Sequence, residues 1–157
     1  MKTNSQSLFP LLVIASVLST TLLLNGCRRF EAKVPDGFAA YDDGINHFRA
    51  VSPDGVVYRV RTEKNSPEAK VVFWREALKK RMLDAGYIFT NENDITAGQI
   101  PGYLLELAAP VGLQDYGYLI ALFVSGSRLI IVEASGEVLK LKNHRDAILN
   151  SINALKI

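Results

Sequence analysis

Past an apolar leader, the chain alternates segments of period two with two stretches of helical period. Val56, Tyr58, Val60 and Thr62 alternate with Val57, Arg59 and Arg61, the pattern of a strand with one buried face. Ser52-Pro53-Asp54-Gly55 precedes it, where proline presets φ and glycine supplies a positive φ. Ile45 to Val51 and the strand after that turn therefore read as a hairpin. A short strand over Gly37 to Tyr41 and a turn at Asp42-Asp43-Gly44 come before it.

Ser66-Pro67-Glu68 reads as a helix start, with a capping hydroxyl, proline at the first helical position and an acid in the first turn. Val71, Trp74, Leu78, Met82 and Ala85 then recur as one apolar stripe, and Gly86 suits the left-handed position that ends a helix. Glu76 and Lys80 stand at pairing distance on the solvent side. Val72, Phe73 and Leu83 fall outside the stripe.

Tyr87 to Thr90 resumes extended structure, with Asn91-Glu92-Asn93-Asp94 as a polar turn, Ile95 to Gln99 as a short strand and a break at Pro101-Gly102. A strand over Tyr103 to Leu107 and a loop over Pro110 to Asp115 follow. Tyr118 to Val124 and Leu129 to Ala134 are continuous apolar runs, which predicts strands covered on both faces. The connection Ser125 to Arg128 is too short for a crossover, so these two pair as an antiparallel hairpin. Asn143 and Asp146 stand at capping-box spacing before a final helix whose stripe is Ile148, Ile152 and Leu155. The expectation is an α+β domain over residues 37–157, a three-layer α-β-α sandwich with a mainly antiparallel central sheet.

The leader has the parts of a secretory signal: Lys2, an apolar run from Leu8 to Leu24, then Asn25-Gly26 before the single cysteine, Cys27. Leu24-Asn25-Gly26-Cys27 resembles the lipobox of bacterial lipoproteins, with Asn25 a departure from the residues most common there. The resemblance implies that residues 1–26 are a signal peptide, that cleavage falls between Gly26 and Cys27, and that Cys27 is acylated. Residues 27–36 then form a lipidated tether. Each buried methylene contributes roughly 0.8 kcal/mol and stable anchoring needs more than one chain, a condition that a triacylated terminus meets. The competing reading is an uncleaved spanning helix, since the apolar run approaches the lower limit of about 17 residues. Pro10, Ser19, Thr20 and Thr21 interrupt it, and Arg28-Arg29 would sit on the translocated side, against the positive-inside trend. Arg28 stands where an aspartate would signal retention in the inner membrane. The expected location is therefore the outer membrane, facing the periplasm, or the inner or plasma membrane in another host.

Charge and cysteine content narrow the function classes. Over 157 residues the formal net charge is +2, with acids and bases interleaved. A nucleic-acid binder needs a concentrated basic face instead. An acylated Cys27 leaves no thiol for a disulfide or a thiolate metal site. The sequence holds no phosphate loop, dinucleotide fingerprint or metalloprotease helix motif, so no cofactor and no metal are expected.

Gly37-Phe38 early in the domain, the hairpin before the first helix, Phe73-Trp74 within that helix and the Ser125 to Ser127 hairpin before the last helix resemble the PsbP-like fold. That resemblance implies an α-β-α sandwich over most of 37–157 and a binding or assembly role.

Three groups of residues are candidates for function. Asp42, Asp43 and His47 bring two carboxylates near an imidazole, the makings of acid–base chemistry or a divalent metal site. Tyr103, Tyr116 and Tyr118 meet if their strands pair, and tyrosines with polar tips suit binding surfaces. Val72, Phe73 and Leu83, flanked by Lys79 and Lys80, form an outer helix face for docking an envelope protein. The expected function is a non-catalytic binding or assembly module, bound to the membrane through Cys27. The alternative is a small-ligand or metal-dependent envelope enzyme using the Asp42/Asp43/His47 region.

Overall fold

The computed structural model describes residues 30–111 and 114–157. Its strands are β1 (Ala39–Asp43), β2 (His47–Val51), β3 (Val57–Lys64), β4 (Ile88–Ala97), β5 (Ile100–Val111), β6 (Gln114–Ser125) and β7 (Arg128–Glu137). Helix α1 (Val71–Asp84) lies between β3 and β4, and α2 (Val138–Asn153) follows β7. The strands form one antiparallel sheet in the order β1-β2-β3-β7-β6-β5-β4, so the fold is α+β. Among the described residues no helix is long and apolar enough to cross a membrane. The signal segment, Cys27 and Arg28-Arg29 lie outside them.

Two apolar clusters share the sheet, and successive strand residues alternate between them, as the period-two geometry of strands requires. Leu104, Leu119, Phe123, Ile130 and Val132 join Leu141, Ile148 and Ile152 of α2. Leu105, Leu107 and Ile120 join Val71, Leu78 and Met82 of α1. Of the stripe predicted for the last helix, Ile148 and Ile152 lie on its buried face, and Leu155 is buried just past its end. The segment that enters the domain runs antiparallel to α2. Phe30 is buried, Glu31 bridges Lys156, the Ser151 hydroxyl donates to the Lys33 carbonyl, and the Phe38 ring meets His144 edge-on.

Several boundaries differ from the sequence expectation. α1 begins at Val71 with Lys70 as its cap residue and no side-chain cap; the Ser66 hydroxyl does not cap it, and Asn65 organises the approach instead. Asn91 to Asp94 are strand, not turn, within a continuous β4 that carries an irregularity between Phe89 and Asn91. β4 is an edge strand, where polar side chains face solvent or the helix above without penalty. Asp42 and Asp43 belong to β1, and the turn closes one step later, where Gly44 N–H donates to the His47 carbonyl. Much of the loop placed at Pro110 to Asp115 is ladder: Pro110 pairs with Asp115 and Val111 with Gln114.

α2 starts at Val138, five residues before the Asn143 cap, because the chain turns directly from β7 into the helix at Glu137. Lys140 holds Glu137 at 2.7 Å in that first turn. Gly117 makes the close approach possible, since a β-carbon there would stand 2.7 Å from Leu141 Cδ2. β6 is buried on both faces from Leu119 to Phe123, as its unbroken apolar run predicts. β7 is not. Ile131 and Glu133 on the α1 side are half-buried while Val132 and Ala134 on the other side are buried.

Candidate functional site

That half-covered flank of β7 is one wall of a groove. α1 packs against β5 and β6, and none of its residues is fully buried. Between the helix and strands β3, β7 and β6 lies a space of about 610 Å³. Ile120, Leu122, Leu129 and Ile131 floor it, and Trp74, Leu78 and Met82 line the helix side. Tyr87 and Tyr118 close one end, their rings 5.6 Å apart and tilted by 33°.

Polar ties add to the apolar packing that holds α1 over the groove. Asn65 Oδ1 accepts from Trp74 Nε1 at 2.7 Å and from the Ala69 N–H at 3.1 Å. Its Nδ2 donates to the carbonyls of Ala69 and Gly126, each at 3.1 Å. One buried side chain thereby joins the helix approach to the β6–β7 turn. On the far side, Glu92 accepts from Tyr103 Oη at 2.5 Å and Lys79 Nζ at 3.1 Å, and Arg75 lies over the Tyr103 ring at 4.8 Å. Hydrogen bonds from Tyr103 and Lys79 and the charges of Lys79 and Arg75 hold the Glu92 carboxyl below its usual range.

Within the groove, Glu133 accepts from Tyr118 Oη at 2.7 Å and from Arg61 Nε at 3.0 Å. Arg61 Nη1 also donates to Glu63 Oε1 at 2.5 Å. Burial pushes the Glu133 carboxyl up, but hydrogen bonds from Arg61 and Tyr118 and the charges of Arg61 and Arg59 outweigh it, so its pKa is lowered. Burial and the hydrogen bond to Glu133 push the Tyr118 phenol well above its ordinary value. Burial lowers Arg61, and its partnership with Glu133 more than restores it.

Glu133 therefore ties stability to pH. A carboxylate with a lower pKa folded than unfolded contributes in full above its ordinary value of 4.5. That contribution is lost as pH falls through the folded value. Glu133→Gln should be less stable than wild type at neutral pH, with the difference shrinking on acidification. Denaturant midpoints that keep a constant gap from about pH 7 to about pH 3 would reject the ion pair as its source.

The residues singled out in the sequence separate into different places. Val72, Phe73 and Leu83 are exposed on α1, at 68%, 50% and 41%, and Phe73 meets Trp74 edge-on at 5.3 Å. The lysines do not flank them freely: Lys79 turns to Glu92 and the Phe89 ring, and Lys80 pairs with Asp84, not Glu76. The tyrosines share one sheet face without forming a cluster. Tyr103 pairs in register with Leu122, four residues from Tyr118, and is 1% exposed beneath α1. Tyr118 belongs to the groove, and Tyr116 is exposed.

Asp42 and His47 do meet, at 2.9 Å, with Arg49 at 3.7 Å from the same carboxylate. Asp43 takes the register position opposite Phe48. Among the described residues no group of three or more histidine, cysteine or acidic side chains is arranged to hold a metal ion. His144 pairs with Asp54 at 2.9 Å; the Ser52 hydroxyl and then His144 hold that carboxyl below its usual range. The sequence reading passed over Asn65, Arg61 and Glu133. Glu133 had a signal of its own, as the one charge inside the apolar run Leu129 to Ala134.

No family model and no curated protein matches the sequence. The solved structures do supply likenesses. LpqN, involved in cell envelope biogenesis of Mycobacterium tuberculosis, is 12% identical with a TM-score of 0.60, covering 81% of this chain and 82% of its own. PA94 of Pseudomonas aeruginosa, a protein of unknown function, is 11% identical with a TM-score of 0.60, covering 74% and 94%. The PsbP protein CyanoP of Synechocystis sp. PCC 6803 is 13% identical with a TM-score of 0.57, covering 82% and 86%. At these identities the likeness is one of fold, and the fold is PsbP-like.

Proposed function

We propose that this protein is a non-catalytic binding or assembly module of the bacterial cell envelope, a three-layer α-β-α sandwich tethered to the outer membrane through acylated Cys27. The observation that carries the reading is the state of the groove's ionisable groups. Glu133, Arg61 and Tyr118 satisfy one another, and each has its pKa moved away from neutrality. A general acid or base is tuned toward the working pH; these groups are tuned the opposite way. What remains is an apolar floor beneath a helix with exposed apolar residues on its outer face. The envelope role of LpqN, of similar fold, supports the same direction.

Three measurements test this. Cys27→Ser should move the protein from the membrane fraction to the soluble fraction with a change in gel mobility, and unchanged membrane fractionation and mobility refute the anchor. For the docking face, Phe73→Ser with Leu83→Ser should alter stability by less than about 0.5 kcal/mol, as surface changes usually do. Crosslinking of the lipidated protein to its envelope partner should fall. Marked destabilisation would assign both side chains to the core and withdraw α1 as the interface. Loss of function in Asp42→Ala/His47→Ala, with the fold intact, would favour the enzyme reading instead.

A further inference from the structure

Taking the protein as a binding module, the open part of the sheet specifies the chemistry of what it binds. α1 packs over β5 and β6, which leaves the same face of β2 and β3 beside it. In the ladder Arg49 stands directly opposite Arg59, and His47 opposite Arg61. Like charges in that position destabilise an antiparallel pair, so pairing of the strands gives no reason for them. Arg61 is engaged by Glu133 and Glu63. Arg49 and Arg59 are not hydrogen-bonded among the described residues; their nearest carboxylates are Asp42 at 3.7 Å and Glu133 at 3.8 Å. Asp42 is already paired with His47, and Glu133 already accepts from Arg61 and Tyr118. The Arg59 Nε is itself buried without a partner, so the part of this side chain open to a ligand is its exposed end.

The acids of this face, Asp42, Glu63 and Glu133, match its three arginines in number. The surplus is therefore donor capacity more than net charge: two planar guanidinium forks, their side chains 40% and 41% exposed. Such forks match the geometry of a carboxylate in two-point contact. Tyr41 and Ile45 are exposed at the same edge of the sheet, and arginine beside tyrosine is the composition of protein-interface hot spots.

We propose that Arg49 and Arg59 hold a carboxylate-bearing segment of a partner protein on the open face of β2 and β3. A lipid headgroup is disfavoured by the path of the chain. Residues 30–38 run along α2 on the opposite face of the sheet, so the described chain enters the domain behind the arginines.

The probe is a fluorescent decapeptide of alternating glutamate and serine, titrated at low ionic strength into the full chain in a non-ionic detergent. Wild type should bind it, added salt should weaken binding, and Arg49→Gln/Arg59→Gln should weaken it at least about tenfold, as losing a paired charged contact does. The melting temperature of that variant should change little, because one like-charge pair and two long carboxylate contacts are removed together. In wild type, the Nε–Hε resonances of Arg49 and Arg59 should shift on peptide addition, a readout independent of any variant. The proposal is overturned if wild type does not bind the peptide, or if wild type and variant bind equally. It is also overturned if the variant melts well below wild type without the resonance shifts, which would make the arginines structural. Displacement of the peptide by inorganic phosphate at concentrations where acetate has no effect would reassign the site to phosphate. Failure here leaves the binding-module reading to its own crosslinking test.

Discussion

Asn65→Ala should melt roughly 10 °C below wild type, a loss of about 2–4 kcal/mol. Asn65 is 5% exposed and makes four hydrogen bonds, two as donor and two as acceptor. Alanine leaves the Ala69 N–H and carbonyl, the Gly126 carbonyl and the Trp74 indole N–H without their partner. Each buried group so orphaned costs about 1–3 kcal/mol, less where water reaches it. The effect should concentrate at the start of α1, which has no side-chain cap of its own. Amide exchange should therefore rise first at residues 69–74, before global unfolding, as expected of a locally weakened unit. Asn65→Asp separates the two halves of the interaction: it keeps the acceptor for Trp74 but sets a carboxylate against the Ala69 and Gly126 carbonyls. A loss in Asn65→Ala of under about 1 kcal/mol would mean that other contacts hold the helix.

Gly102→Val should be the more damaging change, with a loss of about 3 kcal/mol or more from overpacking. A β-carbon at Gly102 would stand 2.4 Å from Phe123 Cδ1 and Cε1 and 2.7 Å from the Leu122 carbonyl oxygen. Phe123 is fully buried in the α2-side core and pairs with Gly102 across the ladder, so neither ring nor backbone has space to yield. Gly126→Ala is the contrasting control. Nothing lies within 4 Å of a β-carbon there, but φ is +56°, so only backbone strain opposes it. That strain is about 1–2 kcal/mol. Chemical denaturation of the two variants should rank Gly102→Val well below Gly126→Ala. The reverse order would show that the Phe123 ring can move aside.

Much of the fold was legible because the strands keep strict alternation where one face meets solvent. Tyr58 and Val60 inside against Arg59 and Arg61 outside is readable without a structure. The unbroken run of β6 announced cover on both sides, and Ile148 and Ile152 announced the buried face of α2, with Leu155 buried just past its end. The readings that missed depended on partners distant in sequence. Asn91 to Asp94 have turn-forming composition, yet pairing with Tyr103 to Glu106 makes them a strand edge. Asn143 has capping chemistry, but Leu141 packing onto Gly117 had already committed the chain to helix. The site was least visible, since Asn65 gains meaning only once Trp74 and Gly126 arrive beside it.

By itself the sequence determined the class of the domain, the faces of β3 and β6 and a lipobox-like cysteine. Those are local properties, set by side-chain period, turn chemistry and a contiguous motif. Only the tertiary structure decided that β7 closes against β3, that α1 stops short of covering it, and that Arg49 meets Arg59. Sheet order and register join residues tens of positions apart. The energy that selects them lies in contacts between segments, which no single segment contains.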